Sequence, residues 1–573
     1  MKIYSDLAKT CVIFEPEGSK ELSKLHKFPG LLPRGSFLSC KYDQRLVQNL
    51  YSRIKTRFKK ISFSADIKEM VQTKIKILDL PSDFTFFTNP ERHQLIALRF
   101  AYTFRNLGLL LEPGMGKTKV VLDFIFLMKF VKSLVICPVT LKGVWVEEAL
   151  KHRPELKVYV IETTNWEQEL PGILQADLVV INYDKAVILE GPLSKIQWQF
   201  MGVDEALIKN IKTSRTESIL RLSRIFSLES KMIMSGTLVN NSPLDIYAPV
   251  KFLELEIVGN YYSHFKNEYT VQVNQKDSKA PKIVVGYRNI EEVRDILASV
   301  SVVMTKEEWL DLPAKKFHDI QVSMASDQKD LYEALASNYM CTLADGSIVE
   351  VDNPLSLLSK LNQISNGFIY YKESESDTKS LLADLFGQPG KVKDDRPRKT
   401  QVFSGQPKAE AMVKLLTEGL KTERVVLWFN LRAELAIIKE YLDKAGITYE
   451  VIAGGEKDAA GKVADFNKNK TVKVLICQAK SINYGVTITG HQEEEILPGF
   501  SSDVCNMVFY SINFSLEVYL QQQDRIHRMS QKRECHYWRI LSDSPVEYRV
   551  LERLDQKLVC NKAILVDIVE SLR

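Results

Sequence analysis

Short runs of Val, Ile and Leu alternate with longer stretches of helical periodicity from about residue 86 onward, and this alternation predicts parallel sheets built from strand–helix–strand units. In the first half the runs are Leu107 to Leu111, Ser133 to Pro138, Asp177 to Asn182, Gln199 to Asp204 and Lys231 to Ser235. In the second half they are Arg424 to Phe429, Tyr449 to Gly454, Val472 to Gln478 and Asn506 to Ser511, each followed by small or polar residues. Open α/β sheets bind ligands beyond the carboxyl ends of their strands, so chemistry is expected just after these runs. Two such sheets in one chain imply a cleft between them. The charged, Gly- and Pro-rich stretch Ser374 to Ser404 and the polar insertion His491 to Asp503 read as surface loops.

Length and composition narrow the class without naming a function. A chain of 573 residues has room for about three to five domains, and 45% apolar with 26% charged residues excludes a disordered or collagen-like chain. The apolar stretch Val120 to Val131 is interrupted by Asp123 and Lys129, so it falls short of the roughly 18 uninterrupted residues of a membrane span. Asp6 stands where a signal peptide would enter its apolar core, which sets the expectation of a cytoplasmic protein. The eight cysteines include no CxxC pair and read as buried free thiols. Net charge is only +5, but residues 1 to 80 hold sixteen Lys or Arg against eight Asp or Glu, so that segment is +8 and the rest of the chain −3. The basic charge is concentrated at one end.

Four motifs carry candidate chemistry. LLLEPGMGKT, residues 109 to 118, sets a glycine turn between an apolar strand and an amphipathic helix. Gly114, Met115 and Gly116 would let backbone amides converge on phosphate oxygens at the helix N-terminus, with Lys117 on the β and γ phosphates and Thr118 on Mg²⁺. Leu111 replaces the first glycine of the general pattern. Next, the run WQFMGV feeds Asp204 and Glu205: Asp204 would hold Mg²⁺ and Glu205 would take a proton from the attacking water. Ser235, Gly236 and Thr237 follow another strand and are placed to sense the nucleotide. Finally, in SLEVYLQQQDRIHRMSQ the spacing of Gln521, Arg525 and Arg528 puts the three on one helical face, where both guanidinium groups can aim at one anion. The alternative for that face is a solvated basic surface, but the phosphate loop lacks a neutralising arginine that a second sheet could supply.

NPERHQ, the phosphate loop, PVTLKGVWVEE, VDEALIKN, SGTLVNNSPLDIYAPVKFL, LPAKK, SGQPKAEAMVKLL, VLWFN, GVTIT and QQQDRIHRMSQ occur in an order that resembles the Swi/Snf-like branch of superfamily 2 helicases. The likeness spans about residues 86 to 560, and the SLEVYLQ lead-in is similar to the compact bacterial and bacteriophage members. The resemblance implies two RecA-like doubly wound lobes that bind ATP and Mg²⁺ between them and act on duplex, forked or branched DNA. It implies that Gln94 reads adenine, that Gly485 joins the nucleotide site, that Arg525 and Arg528 are arginine fingers, and that Gln521 couples with Ser235, Gly236 and Thr237. Lys142, Trp145, Asn182, Tyr183, Asn430 and Thr489 fall in motifs that track a DNA backbone. Leu207, Thr487 and Phe514 depart from the family pattern.

The expected domains are a small basic α+β accessory domain over 1–85, a first lobe over 86–312 with a helical insertion near 240–300, a second lobe over 313–545 with an insertion near 325–400, and a brace helix over 546–573. Arg53, Arg57 and Lys60 recur at helical spacing and can share a DNA-facing surface of the accessory domain. Its alternatives are a packed cap and a protein-docking module. For the motor itself, the rivals are a strand-separating DNA or RNA helicase and a nucleotide-gated DNA scaffold without sustained turnover.

Overall fold

The computed structural model describes residues 1–555 except 6–10, 17–30, 35–36, 42–43, 55–60, 74, 206–207, 209, 226–227, 237–241, 254–256, 274–281, 344, 352–353, 373–397, 455–458, 469–470, 480–487, 489–503 and 529–530. Two compact units divide at Asp311 and Leu312.

The first unit is built on a seven-stranded sheet in the spatial order Ser301–Met304, Leu107–Leu111, Ser230–Met234, Phe200–Asp204, Ser133–Cys137, Leu178–Asn182 and Val158–Val160. Every pairing is parallel. All residues of Leu107–Leu111, Ser133–Cys137, Leu178–Asn182 and Phe200–Asp204 are buried, as in a parallel sheet covered on both faces. Their continuous apolar runs follow from that double covering. Val158–Val160 and Ser301–Met304, the two outer strands, were not expected from the pattern.

Residues 1–85 contain the expected mixture of strand and helix. Lys2–Ser5, Cys11–Glu15, Leu32–Arg34, Phe37–Lys41 and Ser62–Phe63 form one sheet, accompanied by helices Gln44–Ile54 and Ala65–Gln72. This segment is not a separate domain, which corrects the boundary at residue 85. Ile3, Phe14, Leu46, Leu50 and Ile67 lie in the same apolar core as Leu134, Ile136, Val293 and Ile296, and each such burial stabilises by about 1.5–3 kcal/mol. Arg45 also donates to the Asn106 carbonyl across 3.2 Å. The insertion near 240–300 is mixed rather than helical: helices Tyr247–Leu253, Tyr262–Tyr269 and Ile290–Val300 accompany the antiparallel hairpin Thr270–Val273 with Ile283–Tyr287.

The second unit carries a six-stranded parallel sheet in the order Lys315–Val322, Cys535–Ser542, Asn506–Phe509, Val425–Phe429, Val474–Gln478 and Tyr449–Ile452. Its insertion near 325–400 pairs helices Ser326–Asn338 and Pro354–Ser365 with two hairpins, around a small core of its own that includes Leu335, Leu361, Ile364 and Ile369. Arg398–Val402 is a strand of that insertion, so the loop expected to reach Ser404 ends sooner, while 373–397 and 491–503 lie outside the described residues. Residues 545–555 are helical, and the remainder of the expected brace lies outside the described residues. Cys137, Cys341, Cys477, Cys505 and Cys535 are buried and unbridged. Among the described residues no helix is long and apolar enough to cross a membrane.

Candidate active site

The strand Leu107–Leu111 runs into a tight turn that opens helix Lys117–Leu127. Gly114 and Gly116 have φ of 86° and 77°, a left-handed conformation that only glycine adopts freely. A Cβ on Gly116 would stand 2.2 Å from Gln94 Nε2, so close approach fixes this glycine a second time. The helix has no acid in its first turn, leaving its positive end favourable for an anion. Lys117 is buried and its Nζ donates to the Leu111 carbonyl at 2.9 Å. Thr118, the second residue of the helix, is partly exposed.

Gln94 sits at the third position of helix Arg92–Phe104 and closes a capping box with Glu91. Its Oε1 accepts the Glu91 amide at 3.0 Å, and its Nε2 donates to the Met115 carbonyl at 3.3 Å. His93 Nε2 donates to the same carbonyl at 2.9 Å. Both side chains therefore hold the phosphate loop by its main chain.

Asp204 ends the strand Phe200–Asp204 and is 5% exposed. Its Oδ2 accepts the Trp145 indole N–H at 2.9 Å, and its Oδ1 accepts the Glu205 amide at 2.9 Å. Its main-chain carbonyl accepts the Tyr183 hydroxyl at 2.6 Å. Burial raises the carboxyl above its usual range, opposed by the Trp145 hydrogen bond and the Lys117 charge. Glu205 follows with φ 49°, a conformation that is uncommon outside glycine and costs of order 1–3 kcal/mol. Such strain is retained where the surrounding bonds over-determine it.

These bonds correct part of the expected DNA-contact set. Trp145 and Tyr183 are 1% and 2% exposed, so neither offers its surface to a phosphate backbone; both face Asp204 instead. Lys142 is ion-paired with Glu162, and Asn182 caps the helix Tyr183–Ile188 by accepting the Lys185 amide at 3.1 Å. Ser235 is buried, with its amide donating to Leu109 at 3.1 Å, and a Cβ on Gly236 would meet Pro113 of the phosphate loop at 2.9 Å. The Ser-Gly pair thus abuts the loop.

A buried ionic cluster went unnoticed in the sequence. Asp123, on the phosphate-loop helix, takes Lys119 Nζ on Oδ2 at 2.8 Å and Arg153 Nε on Oδ1 at 2.6 Å. Lys119 continues to the Thr88 carbonyl and Arg153 to that of Thr85, while the Arg153 guanidinium lies 4.4 Å from the Phe126 ring centre and 5.0 Å from that of Phe84. The segment leading to Gln94 is thereby fastened to the phosphate-loop helix. The one signal was an acid interrupting the apolar stretch Val120 to Val131.

In the second unit, Asn430 follows the strand Val425–Phe429. Its amide nitrogen donates to Glu434 Oε2 at 2.8 Å, its Nδ2 to Ser511 Oγ at 2.8 Å, and its Oδ1 accepts Asn513 at 2.8 Å. The helix Leu516–Gln523 stops before the arginines, with Asp524 as its C-cap, so the expected single helical face of Gln521, Arg525 and Arg528 is corrected. The chain turns there because the Arg525 amide bonds to Gln522 and the Gln531 amide to Arg528. Arg525 is 4% exposed, whereas Arg528 is partly exposed, its Nε donating to the Asp524 carbonyl at 3.0 Å. Gln521 is buried beside Glu517. Thr237, Gly485, Thr489, Arg57 and Lys60 lie outside the described residues, as does the side chain of Arg53.

A glycine turn opening a helix, with an Asp-Glu pair at a nearby strand tip of the same parallel sheet, defines a P-loop nucleotide-binding core. The SNF2-related domain family matches residues 42–368, more than half of the chain, and the chain belongs to that family. It is 23% identical over 478 residues to the ISWI chromatin-remodeling complex ATPase ISW1 of Saccharomyces cerevisiae, covering 79% of this chain and 38% of that protein. To an uncharacterized ATP-dependent helicase of Mycoplasma genitalium it is 23% identical over 477 residues, covering 81% and 40%. The chain thus spans about two fifths of the length of these relatives. Among solved structures, the Sulfolobus solfataricus SWI2/SNF2 ATPase core in complex with dsDNA is similar over 86% of this chain and 96% of that one, at 20% identity and a TM-score of 0.38.

Proposed function

We propose that this chain is an ATP-dependent DNA motor, which hydrolyses ATP at the phosphate loop and uses the cycle to move along or remodel duplex or branched DNA. The observation that carries the reading is the convergence of Lys117 and the fixed Asp204 carboxylate in one buried locus, close enough for the Lys117 charge to act on Asp204. Membership of the SNF2-related family and likeness to remodelling ATPases support it.

The loop amides and Lys117 would bind the phosphates, while Glu205 would orient or deprotonate the attacking water. Thr118 and Asp204 would hold Mg²⁺, and their donor set of one hydroxyl and one carboxylate fits an ion that keeps water and phosphate oxygens as its other ligands. Mg²⁺, when bound, neutralises the charge that develops on the transferred phosphate. Arg525 and Arg528 would add the neutralising arginine that the loop lacks, beside Lys117. The +8 of residues 1–80 would attract DNA phosphates without regard to sequence. The SLEVYLQ lead-in supports a place among the compact bacterial or bacteriophage motors.

The test compares phosphate release by the parent and by Glu205→Gln, with and without duplex DNA. Duplex should stimulate the parent, and the variant should lose about 10²–10⁴ of turnover while still binding fluorescent ATP. Near-parental turnover in the variant removes Glu205 from catalysis. A parent that binds DNA and ATP without stimulated hydrolysis would be the gated scaffold instead.

A further inference from the structure

The peptide joining Asp204 to Glu205 is held on both of its polar atoms. Its carbonyl oxygen accepts the Tyr183 hydroxyl at 2.6 Å, and its N–H donates to Asp204 Oδ1 at 2.9 Å. A peptide unit is planar, so these two bonds fix its orientation, and with it the departure of the chain into Glu205 at φ 49°. The remaining carboxylate oxygen, Oδ2, is tied to the Trp145 indole at 2.9 Å. Trp145 and Tyr183 lie in the first turns of helices Lys142–His152 and Tyr183–Ile188. Those helices follow Ser133–Cys137 and Leu178–Asn182, the two strands next in order beside Phe200–Asp204. Both side chains are almost fully buried, so they sit in fixed rotamers rather than reaching in from solvent.

We infer that Trp145 and Tyr183 are positioning residues with divided tasks: Trp145 sets the rotation of the Asp204 carboxylate, and Tyr183 sets the 204–205 peptide and through it the aim of Glu205. The inference rests on the reading of Asp204 as the Mg²⁺-holding group and Glu205 as the residue that acts on water. A donor to the outer oxygen of a metal-holding carboxylate tunes metal affinity, whereas misaim of a catalytic base leaves binding intact and slows the chemical step. Variants that remove each donor, Tyr183→Phe the hydroxyl alone and Trp145→Phe the indole N–H with part of the ring, should therefore fail in different parameters.

The experiment uses the full chain, with fluorescent ATP titrated against Mg²⁺ and, separately, kcat and KM measured at saturating duplex DNA. Trp145→Phe should raise the Mg²⁺ needed for half-maximal nucleotide binding by about tenfold, at the low end of the effect of outer-sphere partners, with Mg²⁺-free nucleotide affinity unchanged. Tyr183→Phe, which removes one oxygen atom, should lower kcat by about tenfold with Mg²⁺-dependent binding within about twofold of the parent. Melting curves identify any variant that does not fold. If Trp145→Phe is such a variant, Tyr183→Phe decides, and an unchanged kcat there overturns the inference. Equal losses in Mg²⁺-free and Mg²⁺-dependent binding, or the same parameter shifted in both variants, would show general structural support and also overturn it. Nucleotide binding by the parent that ignores Mg²⁺ would overturn the reading of Asp204 and this inference together, whereas a Mg²⁺-dependent parent with parent-like variants overturns the inference alone.

Discussion

In each unit, four strands consecutive along the sheet-forming sequence lie side by side in the order fourth, first, third, second. They are Phe200–Asp204, Ser133–Cys137, Leu178–Asn182 and Val158–Val160 in one unit, and Asn506–Phe509, Val425–Phe429, Val474–Gln478 and Tyr449–Ile452 in the other. In both, the helix after the first of these strands is tied to the tip of the fourth by one hydrogen bond. Trp145 of helix Lys142–His152 donates to Asp204 at 2.9 Å; Ser511, two residues past its strand, donates to Glu434 of helix Arg432–Lys444 at 2.7 Å. The polarity is reversed. The first unit puts its buried carboxylate at the strand tip, on the sheet that also carries the phosphate-loop strand. The second puts it on the helix, where it also caps the amides of Asn430 and Leu431. Burial raises both carboxyls, so the same physical expense would serve the proposed chemistry in one place and scaffolding in the other.

The largest test of this division lies in the arginines of the second unit. If that unit contributes charge to hydrolysis but no phosphate loop, Arg528→Ala should lower turnover by roughly 10³–10⁵ with a far smaller change in ATP affinity. Arg528 is the more exposed of the pair, so Arg525→Ala should show a mixed loss of turnover and stability. Unchanged turnover with lost DNA binding in both variants would move the motif from the nucleotide to the nucleic acid.

Stability should separate the two carboxylates next. Glu434→Ala strands three donors and should destabilise the second unit by about 2–3 kcal/mol, read as a lower urea midpoint. Asp204→Asn should cost the first unit less, since it strands only one donor, the Trp145 indole or the Glu205 amide, and removes a buried charge. The offset follows from linkage: a carboxyl whose folded pKa is raised disfavours the ionised form, so above its unfolded pKa it detracts from stability, and Asn removes that penalty while losing one acceptor. Equal destabilisation by the two substitutions would mean that both carboxylates are scaffolding.

Most inner strands of both sheets were legible because burial on two faces leaves them largely apolar; Cys535–Ser542, CHYWRILS, mixes polar with apolar residues and was not expected from the pattern. The outer strand Lys315–Val322, KKFHDIQV, is partly exposed along its length, and its polar residues hide it from a search for apolar runs. The glycine turn and the Asp204-Glu205 strand tip were legible for a different reason: the proposed chemistry needs particular residue types in a short span. Trp145 and Tyr183 were found in their motifs but misread, since their bonds to the carboxylate and the main-chain carbonyl of Asp204, 59 and 21 residues away, are settled by strand order, which spacing does not contain. Arg525 and Arg528 were misread because helical spacing was carried past Asp524, where the helix stops. Likewise, Asp123 was visible only as a break in an apolar stretch, although its two cationic partners make it the anchor of the phosphate-loop helix.

The smallest expected difference lies in the response to acid, and it depends on a histidine pair on the two strands beyond Asn506–Phe509. On Lys315–Val322 and Cys535–Ser542, His318 Nε2 lies 3.0 Å from His536 Nδ1, and the His318 ring stacks on Trp538 with centres 4.2 Å apart. A neutral or singly protonated pair can share one hydrogen bond; a second proton would set two cations against each other. His536 is held below the ordinary histidine value by burial first, then by the charges of His318, Lys316 and Arg533, with Glu534 opposing them. In the first unit His152 is also held down by burial, opposed chiefly by Glu148. A depressed folded pKa means that the neutral form is the one the fold favours. Its contribution is therefore complete above the unfolded value of about 6.5 and is lost as pH falls from there through the folded value. Hydrogen exchange at pH 7.5 and 5.5 should accordingly show protection weakening in both units of the parent. His536→Gln should flatten that dependence around Cys535–Ser542 and leave the region of His152 as acid-sensitive as before. If the variant and the parent lose protection equally at Cys535–Ser542, the histidine pair does not set the acid response, and the two sheets do not differ in this respect.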